Sequence, residues 1–430
     1  MQYGCYCPLC LADLSRRQGR EFTRASLVEE LRRDTWPEGN ATQRAWDQRN
    51  HEAIKGVLRA CERGAHEVVP GLELGLMTGM AERVEEWLDV LAGPDKAPIR
   101  FRPGAGFYVD DVPGGGIEKA LRIGQIITHA RPKRLTSIQC EIENFPYHKL
   151  QKSVQLNMVE AACYQATGCR GIAWNILPHE RNPFDDYETR LAGIERWRPF
   201  FEQLAAWGGD LPASGLWLAN SPDYHPGGYF GGLFGSSDPS GKASKTLREL
   251  GLPQAFCRAH ACVTVLAGGA VSAFTPREVQ QILSGGVIVD VEAAQWIQRM
   301  GLGRLLGVHL EPIYPGALRE RLTNHPLNAP WGGQYRNAWL GFFALHGSGS
   351  GATRLDPLSP EVQVLTEMVH YYGTDSLGAS VTAYENELGG RVVVLGYSPW
   401  ERTHNSAKRG QLGRLAAWVS RDTVPAWSEV

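Results

Sequence analysis

Residues 135–147 read Leu-Thr-Ser-Ile-Gln-Cys-Glu-Ile-Glu-Asn-Phe-Pro-Tyr, an apolar run that ends in two acids and an aromatic loop. The apolar part predicts a buried strand that follows a helix. Side chains alternate faces along a strand, so Glu141 and Glu143 share one face and Cys140 and Ile142 the other. Acids at the carboxyl end of a parallel strand are typical catalytic groups of barrel enzymes. The alternative is one solvated glutamate and one glutamate paired with an arginine.

Strands and helices alternate on both sides of this stretch. Short apolar strands begin near residues 72, 99, 135 and 171, and each is followed by a helix. Helices over 8–34 and 41–63 precede them. This alternation predicts parallel β/α units and an α/β fold class. A complete eight-stranded barrel needs ~250 residues, so the four strands correspond to half a barrel or to a smaller open sheet.

The sequence predicts three domains. Residues 1–209 form the β/α domain. A glycine-rich stretch, 221–243, opens a second α/β domain over 210–350, in which Thr275-Pro-Arg-Glu278 is a helix start with a capping box. Residues 351–430 form a small β-rich domain, where apolar strands on either side of Glu387 predict a β-hairpin.

Composition restricts the class of protein. The 430 residues are 43% hydrophobic and 21% charged, which is typical of a soluble globular protein. A net charge of −2 disfavours nucleic acid as a partner. No apolar run approaches the length of a membrane span, and the N-terminus lacks a signal pattern. A cytoplasmic location is the default expectation.

The nine cysteines are odd in number, which does not suggest a disulfide framework. Three of them, Cys5, Cys7 and Cys10, lie at a spacing that can share a structural zinc ion. The alternative is a set of reduced thiols on an N-terminal arm. No cofactor is expected for catalysis.

Several residues near the other strand ends are candidates for substrate binding. Arg102 closes the second strand, where it can steady the charge of a catalytic carboxylate, and Tyr108 follows in a glycine loop. Phe145 and Tyr147 can wall the pocket. Trp174 and Asn175 close the fourth strand, where the indole is either a platform for a sugar ring or a core residue.

The order of barrel, α/β domain and small β domain resembles the β-galactosidases of glycoside hydrolase family 42. The stretch Cys5-Tyr-Cys-Pro-Leu-Cys10 is similar to the zinc-binding motif after the fourth barrel strand of that family. The resemblance implies that the chain carries barrel strands five to eight, with the nucleophile on strand seven. It also implies an amidotransferase-like trimerisation domain, a homotrimer, and an acid/base glutamate on strand four, upstream of Met1.

These observations predict a retaining glycoside hydrolase that acts on β-galactosides or related β-glycosides. Glu141 is favoured as the nucleophile, and Glu143 is a near-equal candidate that would otherwise bind a sugar hydroxyl or pair with Arg102. Because the acid/base group is expected upstream, the chain alone is expected to have little activity. The alternative is a non-catalytic carbohydrate-binding or assembly protein on a degenerate hydrolase scaffold.

Overall fold

The computed structural model of the chain describes residues 5–32, 41–79, 84–104, 106–110, 114–130, 135–145, 147, 151–177, 183–208, 211–220, 239–313, 318–337, 352–400 and 406–424. They fall into two compact units, Met1–Ala213 and Ser214–Val430. Among these residues, no helix combines the length and the apolar character that crossing a bilayer requires.

The first unit begins with three helices and continues as alternating strands and helices. Its elements are α1 (Pro8–Gln18), α2 (Arg24–Arg32), α3 (Ala41–Val68), β1 (Leu74–Thr78), α4 (Val84–Ala92), β2 (Ile99–Pro103), α5 (Gly115–His129), β3 (Leu135–Glu143), α6 (Val154–Ala166), β4 (Gly171–Asn175) and α7 (Glu188–Gly208). The sequence predicts each of these four strands, and β3 has the predicted bounds. The predicted helix over 8–34 is instead two helices, because Gly19 ends α1 in the left-handed conformation.

The four strands form one sheet in the order β1-β2-β3-β4, and all neighbours are parallel. This confirms the predicted α/β class. Helices α4, α5 and α6 bury their apolar faces against the sheet, in a core that includes Ile99, Phe101 and Ile142. Cys140 and Ile142 are fully buried in this core, whereas Glu141 and Glu143 point to the opposite face. The predicted alternation along β3 therefore places both acids away from the helices.

The second unit combines parallel and antiparallel strands. Its elements are β5 (Gly215–Leu218), α8 (Pro239–Glu249), β6 (Ala261–Leu266), α9 (Pro276–Leu283), β7 (Gly286–Val289), α10 (Val291–Arg299), β8 (Val308–Ile313), β9 (Leu318–Leu322), β10 (Tyr335–Asn337), β11 (Ala352–Pro357), β12 (Gln363–His370), β13 (Ser376–Glu385), β14 (Arg391–Leu395) and α11 (Ser406–Val419). The predicted capping box of Thr275 and Glu278 is present at the start of α9, and β13 and β14 form the predicted hairpin.

The predicted boundary at residue 350 does not correspond to a division between units. Strand β14 pairs in parallel with β7, in the register Val392 to Val287, and so continues the parallel strands β5, β6 and β7. The resulting sheet runs β10-β9-β12-β13-β14-β7-β6-β5. Residues 210–350 and 351–430 therefore share one sheet and one unit, because the hairpin completes the hydrogen bonding along the edge of β7.

Asp290 is a buried acid that caps α10 in this unit. Its carboxylate accepts hydrogen bonds from the backbone N–H of Gly268 (2.9 Å) and Ala293 (2.9 Å) and from Nε1 of Trp400 (2.8 Å). Burial nevertheless raises the pKa of Asp290 to about 7, from 3.8. The folded state therefore binds this proton more tightly than the unfolded state, and stability falls as the pH rises between the two pKa values.

Replacement of Asp290 by Asn removes this titration. We expect the free energy of unfolding of the wild type to fall, relative to that of Asp290→Asn, by up to about 4 kcal/mol between about pH 4 and about pH 7. Urea unfolding at several pH values measures the difference, and parallel profiles would contradict it. Asp356→Asn is a control of opposite sign: because Arg354 lowers the pKa of Asp356, that carboxylate loses its contribution as the pH falls.

Candidate functional site

Glu141 lies at the centre of a polar cluster at the carboxyl end of the parallel sheet. Its Oε1 is 3.4 Å from Nη1 of Arg102, which lies on the neighbouring strand β2. The same oxygen accepts a hydrogen bond of 3.3 Å from Nδ2 of Asn175, the last residue of β4. Three adjacent strands thus deliver one carboxylate, one cation and one amide to the same place, because the carboxyl ends of parallel strands lie along one edge.

Glu143 is the last residue of β3, and Tyr147 holds its carboxylate. The Tyr147 hydroxyl donates to Oε1 of Glu143 (2.9 Å) and accepts from Nδ2 of Asn175 (3.1 Å). A tight turn brings the ring back over the strand: Tyr147 has a φ of 70°, and its N–H donates to the carbonyl of Asn144 (2.6 Å). Such a φ is costly for a non-glycine residue, so the contacts of this turn and side chain must stabilise it.

Aromatic rings wall one side of the two carboxylates. Tyr108 and Phe145 meet edge to face with ring centroids 6.2 Å apart, and Phe145 meets Tyr147 at 5.7 Å. Tyr108 is 40% exposed and Phe145 is 56% exposed, so the wall is open to solvent. Burial, and then the charges of Glu143 and Glu141, raise the pKa of Tyr108. Its hydroxyl therefore stays protonated and can act as a hydrogen-bond donor at neutral pH.

The structure does not bring Trp174 into this cluster. In the β3–β4 register Trp174 is opposite Ile142, and its side chain packs on the helix side of the sheet, 6.4 Å from the ring of Phe201. Adjacent residues of a strand face opposite sides, so Trp174 and Asn175 cannot both point into one pocket. Trp174 is therefore a core residue, which was the alternative prediction, and it does not form the predicted sugar platform.

Three buried charged residues behind β3 were missed by the sequence analysis. Lys119 of α5 and Lys152 before α6 both contact Glu160 of α6, and Lys119 also donates to the carbonyl of Glu141 (2.7 Å). No short sequence motif contains them, because Lys119 and Glu160 are 41 residues apart. In the sequence each looks like an ordinary surface residue of an amphipathic helix.

The three N-terminal cysteines form a second cluster. The Sγ atoms of Cys5, Cys7 and Cys10 all lie within 4.8 Å of one another. Thiolates that share a tetrahedral zinc ion at 2.3 Å are about 3.8 Å apart, so this arrangement is compatible with a structural metal. Nη2 of Arg49 donates to Sγ of Cys10 (2.6 Å). Such a donor is the kind of outer-shell partner that supports bound thiolates.

The thiols of this cluster differ in acidity. The backbone N–H of Cys10, followed by side-chain hydrogen bonds with Cys5 and Cys10, lowers the pKa of Cys7, which precedes the first turn of α1. Burial raises the pKa of the Cys10 thiol. The helix start therefore favours a thiolate at Cys7, which is the form that binds metal.

No protein-family model matches this chain, and no curated protein matches it either.

Proposed function

We propose that the chain is a glycoside hydrolase of the retaining type, acting on β-galactosides or related β-glycosides. One observation supports this most strongly. Glu141 and Glu143 share the open face of a parallel sheet at its carboxyl end, and Arg102, Asn175 and Tyr147 hold them beside an aromatic wall. Retaining glycosidases need a carboxylate nucleophile that is held in place beside the sugar, and exposed rings suit the apolar face of that sugar.

We assign the nucleophile to Glu143 and a supporting role to Glu141. Oε1 of Glu141 already contacts both Arg102 and Asn175, so this oxygen is engaged within the cluster. Among the described residues, the neutral hydroxyl of Tyr147 donates to Oε1 of Glu143, and Glu143 lies two residues further along β3, at the rim of the sheet. Glu141 would orient Arg102 and Asn175, and it would bind a sugar hydroxyl.

We further propose that the four-stranded sheet is the second half of a β/α barrel. The sequential order β1-β2-β3-β4, parallel throughout, is the order found in such barrels. The acid/base carboxyl would then come from a preceding strand, as the family resemblance implies. Attack by Glu143 on the anomeric carbon would form a glycosyl-enzyme, and that acid would protonate the leaving oxygen and then activate water.

A non-catalytic carbohydrate-binding protein is the second candidate. It is supported by the exposed rings of Tyr108 and Phe145, which can bind a sugar whether or not a bond is cleaved.

A comparison of leaving groups separates the candidates. Dinitrophenyl glycosides release a phenolate that needs no protonation, whereas alkyl glycosides require the acid. If Glu143 is a nucleophile and the acid is absent from this chain, the protein cleaves the first class and not the second. If the protein binds both classes and cleaves neither, the binding function replaces the hydrolase. If it cleaves both, this chain itself supplies the acid.

We propose that the cysteine cluster binds one structural zinc ion per chain. Loss of an outer-shell partner weakens metal affinity by roughly 10–100-fold, so loss of a direct ligand in Cys7→Ser should weaken it more than about 100-fold. Cys61→Ser, at an exposed cysteine of α3, is the matched control. Zinc content after dialysis and competition with a chelating dye measure the effect. Equal zinc affinity in the two variants would refute the assignment.

A further inference from the structure

Lys119, Glu160 and Lys152 form an ionic cluster behind the carboxylates, and it is almost completely buried. The side chains of Glu160 and Lys152 are 0% exposed, and that of Lys119 is 2% exposed. Nζ of Lys119 lies 3.3 Å from Oε1 of Glu160, and Nζ of Lys152 lies 2.7 Å from Oε2. The hydroxyl of Tyr164 also donates to Oε1. One carboxylate therefore holds two ammonium groups, one through each oxygen.

Each lysine has a second contact, and these contacts connect the cluster to two different segments of the site. Lys119 donates to the carbonyl oxygen of Glu141 on β3 (2.7 Å). Lys152 donates to the carbonyl oxygen of Phe107 (2.8 Å), in the segment between β2 and α5 that carries Tyr108. One lysine thus holds the backbone of the carboxylate wall, defined as Glu141, Glu143 and Tyr147, and the other holds that of the Tyr108 wall, defined as Phe107 and Tyr108.

Stability alone does not account for such a cluster. Burial of charged groups costs several kcal/mol per ion, and apolar residues of similar volume are often equally good or better. The two lysines share the carboxylate of Glu160, and burial lowers the pKa of Lys152. What the lysines provide, and apolar residues would not, is a charged donor to each of two backbone carbonyls.

We propose that Glu160 is a positioning residue, which fixes the spacing between the carboxylate wall and the Tyr108 wall through Lys119 and Lys152. The effect on catalysis rests on the proposed function, whereas the effect on geometry does not. Lys119→Met and Lys152→Met are a matched pair: each removes one buried cation and leaves one cation with one anion, but each releases a different wall.

Tyrosine ring resonances in a ¹³C-labelled protein report the two walls without any need for activity. Tyr108→Phe and Tyr147→Phe assign the two signals. We expect Lys152→Met to move chiefly the Tyr108 signal and Lys119→Met to move chiefly the Tyr147 signal, since Tyr147 contacts Glu143 and Asn175. If both variants move the two signals alike, or if neither moves them, the proposal is overturned. If a Met variant does not fold, Lys119→Gln and Lys152→Gln replace the pair. Each keeps a neutral donor and should shift the same tyrosine signal by a smaller amount.

Kinetics give the second test. A misplacement of about 1 Å far from the chemistry can cost about 100-fold, so Lys119→Met should lower kcat by about 100-fold with KM nearly unchanged. Lys152→Met should raise KM by about 10-fold, because it loosens the wall that binds substrate. Equal losses in both variants would leave only a structural role and overturn the proposal. If the wild type cleaves no glycoside, the hydrolase fails, and the tyrosine signals still decide whether Glu160 positions the site.

Discussion

Glu143→Gln lowers the rate of glycoside hydrolysis by about 10⁴-fold or more, because an amide cannot form the glycosyl-enzyme. The substitution keeps the shape of the side chain. In the wild type the Tyr147 hydroxyl lies 2.9 Å from Oε1 of Glu143, and it can still donate to the amide oxygen of the variant. The release of dinitrophenolate in the first turnover measures the loss, because this step needs neither the acid nor the water that it later activates.

Two further variants make this result specific. Glu141→Gln should cost less, about 100-fold, because the residue orients Arg102 and Asn175 rather than bonding to the sugar. Glu73→Gln is the control: Glu73 pairs with Arg100 at the opposite end of the sheet, 2.7 Å away, and should change little. A greater loss in Glu141→Gln than in Glu143→Gln would move the nucleophile to Glu141.

Glu160→Gln destabilises the folded chain by about 3–5 kcal/mol, because it removes the carboxylate that contacts two buried ammonium groups. Both Lys119 and Lys152 lie against this carboxylate in a region that excludes solvent. The midpoint and slope of urea unfolding give the difference in free energy.

The same substitution on an exposed helix face shows whether burial is the cause. Glu202 of α7 pairs with Arg198 at 2.8 Å, and its side chain is 65% exposed. Glu202→Gln should therefore cost about 0.5 kcal/mol or less. If the two variants lose similar amounts of unfolding free energy, burial of the ionic cluster behind β3 is not the cause of the loss.

The strand that carries the acids could be predicted from the sequence because its pattern is local. The apolar run from Leu135 to Ile142 predicts β3. Because side chains alternate between the two faces of a strand, Glu141 and Glu143 lie on one face. The same alternation could have excluded Trp174 from the site, since adjacent residues of a strand face opposite sides and its neighbour Asn175 was predicted to lie in the site. Strand order within the first unit also followed from local alternation, because consecutive β/α units pair with their neighbours.

The ionic cluster and the second sheet could not be predicted, because both depend on contacts between distant residues. Glu160 meets Lys119 across 41 positions, and in a helix pattern each is an unremarkable polar residue. Strand β14 pairs with β7 roughly a hundred residues earlier in the chain, in the register Val393 to Ile288. The hairpin of β13 and β14 was visible in the sequence, but its docking on β7 was not.

The most direct test of the hydrolase is to trap the glycosyl-enzyme. An activated fluorosugar with a dinitrophenolate leaving group forms this bond without an acid, and its fluorine slows hydrolysis of the bond afterwards. Intact-mass spectrometry and peptide mapping should show one sugar per chain, bound to the peptide that contains Glu143 and absent in Glu143→Gln. An unmodified chain, or a sugar on a peptide that lacks both Glu141 and Glu143, would contradict the proposed function.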